Sequence, residues 1–249
     1  DPYDHNIVIP SFPSQQEKVY RALLGSQSVL TGASLQNPWD AAHKQTLRWV
    51  EASRAAGKPW VVANDEQNPA GLGVPPDPGY QGFDGQAGEN GKFYDLHGIR
   101  KYTLWGNLMA GGAGVEYYFG YRMLENDLKA EDFRSRDKSW EYCGIALDFF
   151  HDNEIPFYRM RNLNTLIGNN DRGNSRFCLG NEGEIYVIYL PEGGSAKIDL
   201  SKDTGKFKVS WFNPRAGGIL QKGSVKSVKA GASVSLGNPP SDASEDWTI

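Results

Sequence analysis

Short apolar runs alternate with amphipathic stretches along the first part of this chain, and this alternation limits the folds open to it. Four apolar runs have the length of buried strands, and each is followed by a stretch with helical features. The predicted strands are 5–12, 28–35, 60–63 and 115–119, and the predicted helices are 15–24, 39–56, 100–110 and 138–151. Strands joined by helices run parallel, and ligands bind at their carboxyl ends. The pattern therefore predicts an α/β region of four βα units.

The pattern changes near residues 152–170. Beyond them, Gly, Asn and Pro turns separate short apolar runs at 180–190, 196–200, 207–212, 218–220 and 233–236. Such spacing is typical of an antiparallel β sandwich. The sequence therefore predicts two domains, an α/β domain of residues 1–155 and a small antiparallel β-sandwich domain of residues 156–249.

Four βα units cannot close a (β/α)8 barrel, which needs eight and about 250 residues. Four parallel strands alone would also leave a sheet edge open. Two architectures remain, a doubly wound sheet or the C-terminal half of a TIM barrel. The start Asp1-Pro2-Tyr3-Asp4 has neither a Met nor a signal-peptide apolar region, which favours the half barrel. An N-terminal segment missing from these residues, or a second chain, would then complete the barrel.

Charge and composition exclude several classes of function. With 26 basic and 30 acidic side chains and no basic run, the chain lacks the footprint of a nucleic-acid binder. No apolar stretch is long enough to span a membrane. The two cysteines and four histidines show no metal-ligand spacing, and no phosphate-binding or dinucleotide motif is present, so we predict no metal and no cofactor. The 29 glycines, 14 prolines and 12% aromatic residues are compatible with a carbohydrate partner without deciding for one.

The most informative polar run is Asn64-Asp65-Glu66, where an apolar strand is predicted to stop. At the carboxyl end of a barrel strand, such side chains face the mouth where substrates bind. A carboxylate there can serve as nucleophile or proton donor in glycoside hydrolysis. Because strand side chains alternate, only one of the two neighbouring carboxylates is expected to point inward, and we favour Glu66. The alternative is that both carboxylates cap the following loop.

Other candidates for substrate binding lie near predicted strand ends. Ser34 and Gln36 end the second strand, although Asn37-Pro38 resembles a helix start and capping could occupy them. The remaining candidates are Trp39 at the same rim, His97 after the long Gly/Pro loop of about residues 68–93, and Tyr118 and Tyr121 near the fourth strand's end. Core packing is the competing interpretation of the aromatic residues.

The runs KPWVVANDEQNPAGLGVPPD, LWGNLMAGGAGVEYYFGY and VSWFNPRAGG resemble a family of bacterial glycoside-hydrolase-like proteins. These proteins have a clan A TIM barrel followed by a small β domain that is labelled as the collagen-binding domain of a collagenase. The resemblance covers almost the whole chain, and LMAGGAGVEYYFGY is its most specific part. It implies that the four βα units are barrel strands five to eight.

The resemblance also implies a mechanism. Glu66 matches the nucleophile at the end of strand seven, while the acid/base of strand four would lie upstream of Asp1. A retaining glycoside hydrolase acting on a polysaccharide or oligosaccharide by double displacement, in a secreted or periplasmic location, is the implied function. Two alternatives stay open. One is a non-catalytic carbohydrate-binding or scaffold protein, and the other is a polysaccharide lyase.

Overall fold

A computed structural model describes residues 5–83, 94–122, 126 and 133–249. The chain forms two compact units, residues 1–140 and 141–249. The first contains a parallel sheet with helices, and the second contains antiparallel sheets. Within the described ranges, no helix has the length and apolar character needed to cross a membrane.

The first unit is built around a three-stranded parallel sheet in the order β1-β2-β3. The predicted parallel alternation of strands and helices is confirmed for this sheet. Its elements are β1 (Val8–Ser11), α1 (Gln16–Arg21), β2 (Gly32–Pro38), a 3-10 turn (Trp39–Ala41), α2 (Ala42–Ala55) and β3 (Val61–Asn68).

Strand β2 runs to Pro38, three residues beyond the predicted end. The prediction that Asn37 caps the next helix is therefore wrong. Asn37 pairs with Gln67 of β3, and its Oδ1 accepts a hydrogen bond from Gln16 Nε2 at 2.9 Å. Strand pairing across the sheet thus prevails over a local capping signal.

Strand β3 also continues through the polar run that was expected to follow it. Gln36 pairs with Glu66 and Asn37 with Gln67, so the polar residues extend the ladder. The predicted fourth strand, 115–119, is by contrast reduced to a single parallel bridge between Asn64 and Val115. Beyond that bridge, the Tyr118 N–H donates to the side-chain Oε1 of Gln67 (3.0 Å) instead of to a strand carbonyl.

Helical segments follow at α3 (Leu96–Gly98), a π-helical turn (Ile99–Leu104), α4 (Trp105–Met109), a 3-10 turn (Phe133–Arg136) and α5 (Asp137–Asp152). The first begins four residues before the predicted Arg100, because the Asp95 side chain caps it by accepting from the Gly98 N–H at 2.8 Å. The predicted loop at about 68–93 is described only as far as residue 83, and residues 84–93 lie outside the described part of the chain.

One face of the parallel sheet carries the core of the first unit. Tyr20 of α1 makes edge-to-face contacts with Trp49 of α2 (5.0 Å between ring centroids) and with Trp60 (5.9 Å). These rings pack with Leu35 and Val62, which project from β2 and β3. Because side chains alternate along a strand, Ser34 and Gln36 lie on the opposite face.

The second unit is antiparallel, as predicted. A four-stranded sheet has the order β11-β6-β5-β4, and two ribbons pair β7 with β10 and β8 with β9. The strands are β4 (Arg161–Asn162), β5 (Phe177–Asn181), β6 (Ile185–Leu190), β7 (Lys197–Asp199), β8 (Lys206–Lys208), β9 (Ser227–Lys229), β10 (Ser233–Ser235) and β11 (Trp247–Thr248). Buried Trp211 and Trp247 meet edge to face in its core, 6.2 Å between centroids.

Three predicted β runs of this unit differ from the structure. Run 180–190 is a hairpin of β5 and β6, run 207–212 is a strand only in its first two residues, which belong to β8, and run 218–220 is not a strand. The Asn213 side chain accepts from the N–H groups of Arg215 (2.9 Å) and Ala216 (3.3 Å), which starts a turn instead. Pairing resumes only at the bridge between Trp211 and Gln221.

Candidate active site at the carboxyl edge of the parallel sheet

A β-bulge lies at the centre of the candidate site. Leu35 pairs with Asn64, but the next residue of β2, Gln36, pairs with Glu66, so Asp65 is the extra residue of β3. Paired residues project from the same face of a sheet, which places Glu66 on the face of Gln36. A bulge disrupts the strict alternation of side chains and re-aims them.

Asp65 projects from this same face. The Ser34 hydroxyl donates a hydrogen bond to its carboxylate, and Ser34 lies on the side of β2 that faces away from the core. The expectation that only one of the two neighbouring carboxylates points to this side is therefore wrong. The bulge gives the sheet face two adjacent carboxylates, together with Ser34 and Gln36.

The surroundings of Asp65 favour its protonated form. Half-burial raises the pKa of this carboxyl above its ordinary value, the hydrogen bond from Ser34 opposes the rise, and the negative charge of Glu116 adds to it. Burial, and secondarily the charge of Asp65, also raises the pKa of Tyr20. The Tyr20 hydroxyl lies 2.7 Å from the main-chain oxygen of Ser34. Asp65 is thus set in a partly desolvated position at the sheet edge.

Asn64 is fully buried, and both ends of its amide are engaged within the protein. Its Nδ2 donates to the carbonyl of Leu35 (3.1 Å), and its Oδ1 accepts from Gln67 Nε2 (2.9 Å). Gln67 Nε2 also lies 2.9 Å from the carbonyl of Glu116. The two amides fasten β2, β3 and residues 114–118 to one another, so Asn64 contributes to the site by fixing its strands. Sequence reasoning missed Gln67, whose only signal is its place in the polar run.

Four buried polar atoms without a hydrogen-bond partner lie at the carboxyl ends of β1 and β2. They are Ser11 Oγ, Gln36 Oε1, Asn37 Nδ2 and Trp39 Nε1. Buried polar atoms are nearly always bonded, and each exception costs about 1–3 kcal/mol. Each such exception needs an explanation, and these four occur at the edge where parallel sheets bind ligands.

Trp39 belongs to an aromatic group at this edge. Its ring stacks on Tyr94, with centroids 5.1 Å apart, and is tilted against Tyr102 at 5.7 Å. The indole is half-buried, so part of it remains accessible. His97, on α3, is exposed, and its Nδ1 lies 2.7 Å from Arg100 Nη1. Tyr94 was not predicted from the sequence.

The two predicted tyrosines lie beside the loop that follows β3. Tyr118 is half-buried and its carbonyl accepts from the Val74 N–H, whereas Tyr121 is 51% exposed. The Gly71 carbonyl accepts from the N–H groups of Tyr121 (3.2 Å) and Arg122 (2.9 Å). These bonds hold the loop after β3 against residues 118–122. In the part of the chain that the structure describes, no group of three His, Cys, Asp or Glu side chains is arranged to hold a metal ion.

Comparison with known proteins places both units among known folds. Residues 163–249 match the family model described as "Putative collagen-binding domain of a collagenase". A crystal structure of a glycoside hydrolase family 5 protein from Bacteroides vulgatus superimposes on 98% of the chain with a TM-score of 0.66 and 16% identity. The chain covers 54% of that crystal structure. In fold, this chain resembles half of a glycoside hydrolase.

A second solved structure, named glycoside hydrolase, matches 88% of the chain with a TM-score of 0.60 and 15% identity, and 52% of that protein is covered. The chain thus spans about half the length of the solved structures it matches. No curated protein sequence matches it significantly. The predicted resemblance to glycoside-hydrolase-like proteins that carry this C-terminal domain is confirmed.

Proposed function

We propose that this chain is the C-terminal half of a (β/α)8 glycoside hydrolase that acts on a polysaccharide or oligosaccharide. The observation that carries the proposal is the bulge at Asp65. It brings Asp65 and Glu66 to one face of a parallel sheet, at the carboxyl edge where barrel enzymes bind substrates. The fold of the matched hydrolases supports the same proposal.

Glu66 is the proposed nucleophile of a double displacement. Its carboxylate attacks the anomeric carbon while an acid/base residue from the upstream segment protonates the departing glycosidic oxygen. The covalent glycosyl-enzyme is then cleaved by water, whose proton returns to the same acid/base residue as Glu66 leaves. Asp65, whose burial favours protonation, is suited to donate a hydrogen bond to a sugar hydroxyl beside Glu66.

The remaining predicted residues are assigned to the substrate's surroundings. Gln36 lies opposite Glu66 in the ladder, and Trp39 offers part of its ring as a stacking surface. His97, Tyr118 and Tyr121 are proposed contacts from the helix and loops beyond the sheet. Asn64 acts indirectly through the hydrogen bonds that fix the bulged strand.

An upstream segment, or a second chain, is proposed to complete the barrel against β1. Val8 is 45% exposed and Ile7 is 40% exposed, although both belong to a predicted core strand. An edge strand with accessible apolar side chains is expected to be covered in the complete protein. A secreted or periplasmic location is proposed from the family resemblance, and fractionation of the native host with an antibody to residues 163–249 tests it.

The central test compares Glu66→Gln with the parent protein, both including the upstream segment. Glu66→Gln should lower turnover by about a thousandfold or more while leaving the melting temperature unchanged, since a lost nucleophile is not replaced. Substrates are neutral, uronate-containing and sulfated polysaccharides, and reducing ends and unsaturated products are both measured. The matched control is Glu17→Gln, which alters an exposed carboxylate that contacts Arg21 and Arg48.

Each outcome of this test separates the functions considered. Hydrolysis is supported if Glu66→Gln no longer forms reducing ends while Glu17→Gln still forms them. Full activity in Glu66→Gln contradicts the assignment of the nucleophile. Unsaturated products from the parent protein indicate a lyase, and polysaccharide binding without any product indicates a non-catalytic protein.

A further inference from the structure

A second candidate binding site lies in the antiparallel unit. It is a cavity of about 420 Å³, within the size range of small-ligand sites. Its polar lining consists of two cations and three hydroxyl groups: Arg176, Lys197, Ser195, Ser233 and Ser235. Leu166, Ile167 and Ala196 provide an apolar part of the lining. No carboxylate belongs to the lining.

The ribbon of β7 and β10 brings three of these polar residues, Lys197, Ser233 and Ser235, to one face. Lys197 pairs directly with Ser235, and Asp199 pairs with Ser233. All four side chains are exposed and alternate with buried Ile198 and half-buried Val234, so they share the outward face of the ribbon. Residues directly opposite on one face lie about 5 Å apart, which places the Lys197 stem beside the Ser235 hydroxyl.

Within residues 133–249, the two cations of the cavity have no acidic partner. Throughout residues 133–249, all of which are described, no carboxylate lies within 4.0 Å of the Arg176 guanidinium or the Lys197 ammonium group. The carboxylate on the same ribbon face, Asp199, is already bonded, since its Oδ1 accepts from the Ser201 N–H at 2.9 Å. The hydrogen bonds from Ser201 and the charge of Lys202 lower the pKa of Asp199. The cavity therefore presents two positive charges that no carboxylate of residues 133–249 contacts.

We propose that this cavity binds an oxyanion substituent, a sulfate ester or a carboxylate, of an acidic polysaccharide. A guanidinium group matches an oxyanion with two parallel N–H donors, and a lysine adds a mobile positive charge. The serine hydroxyl groups both donate and accept hydrogen bonds, which suits neighbouring sugar hydroxyls. The oxyanion specificity rests on the cavity alone, whereas the choice of a polysaccharide rests on the proposed function.

Binding is measured by isothermal titration of the 249-residue chain with dextran sulfate, polygalacturonate and unmodified dextran at 0.15 M salt. Dextran sulfate or polygalacturonate should bind, and dextran should not. Binding of only one of them identifies the substituent. Arg176→Gln/Lys197→Gln should weaken the binding about tenfold, the loss expected for two partly exposed charge-assisted contacts.

The matched control is Lys206→Gln/Lys229→Gln, which removes the same charge from the ribbon of β8 and β9, where these two lysines pair directly. Equal weakening in the control would indicate non-specific attraction and overturn the proposal. Absence of binding to both acidic polymers, or equal binding of dextran, would also overturn it. Lys197→Glu should also weaken binding. Because Lys197 is exposed, this single variant keeps the test valid if the double variant does not fold.

Isothermal titration measures polysaccharide binding without turnover, so the two proposals fail separately. An inactive Glu66 site would leave specific binding at Arg176 and Lys197 intact. Conversely, loss of the proposed cavity site would leave hydrolysis by Glu66 possible.

Discussion

At the scale of single residues, Asp65 distinguishes this site from an ordinary strand end. Its hydrogen bond with Ser34 and the charge of Glu116 act on a carboxyl that half-burial has already separated from water. Because burial is the largest of these effects and raises the pKa, the folded protein binds the Asp65 proton more tightly than the unfolded chain does. Asp65 therefore reduces stability whenever it is ionised, which is typical of a residue retained for function.

The stability of Asp65→Asn should depend on pH in a defined direction. A carboxyl with a raised pKa makes its most favourable contribution to the unfolding free energy below the ordinary value of 3.8, and this contribution is lost as pH rises through the folded pKa. Asp65→Asn has no carboxyl to ionise and therefore avoids this loss of stability. The variant should exceed the parent protein in stability at pH 7, and the advantage should shrink toward pH 3.5, as measured by urea unfolding.

Asp148→Asn makes the same chemical change at an exposed position of α5 and serves as the control. The control measures the effect of removing one exposed carboxylate, and the pH dependence assigned to Asp65 is the part that exceeds it. If Asp65→Asn and the parent protein differ in unfolding free energy by the same amount at pH 7 and pH 3.5, the assigned environment of Asp65 is contradicted.

At the scale of elements, the loop after β3 is tied to the segment that follows the Asn64–Val115 bridge. The Gly73 residue has a φ of +58°, and a Cβ added there would lie 2.0 Å from the Tyr118 carbonyl oxygen and 2.6 Å from the Gly120 nitrogen. Both contacts are with main-chain atoms, which cannot rotate away. The close approach of the two segments thus requires glycine at this position.

Gly73→Ala should lower the unfolding free energy by about 3 kcal/mol, because steric overlap adds to left-handed backbone strain of roughly 1–2 kcal/mol. Gly79→Ala is the matched control. Gly79 has a φ of +100°, but no atom lies within 4 Å of the added Cβ, so only the strain applies. Urea unfolding measures the unfolding free energy of both variants. If both lose the same amount relative to the parent protein, the close approach at Gly73 is refuted.

At the scale of the whole molecule, the parallel sheet carries more accessible apolar surface than a finished core would. Phe12 is 64% exposed and Val8 is 45% exposed, at the end and start of the edge strand β1. The matched hydrolase structures are about twice as long as this chain. Both facts support the proposal that another segment covers this edge.

The 249-residue chain should consequently bind the dye ANS and self-associate in sedimentation experiments, since exposed apolar edges recruit other chains. Val8→Lys/Phe12→Lys should reduce both signals. Leu147→Lys/Ile219→Lys is the control, because it changes two apolar residues of the second unit that are at least as exposed, at 64% and 85%. If the control reduces dye binding as strongly, β1 is not the responsible edge.

The local amino-acid sequence determined the order of helices and strands along the chain. Apolar periodicity predicted the three paired parallel strands, α2, α5 and the antiparallel character of the second unit, because these features depend on neighbouring residues along the chain. The polar run that follows an apolar strand also directed attention to Asp65 and Glu66.

The tertiary structure decided which way those side chains point. The bulge at Asp65 exists only through the register between β2 and β3, whose paired residues Leu35 and Asn64 lie far apart in sequence. The Gln67 bonds that replace a fourth strand, and the extension of β2 through Asn37, depend on the same long-range pairing. Alternation within one strand is a local property, whereas register is set by the partner strand, and no local pattern contains it.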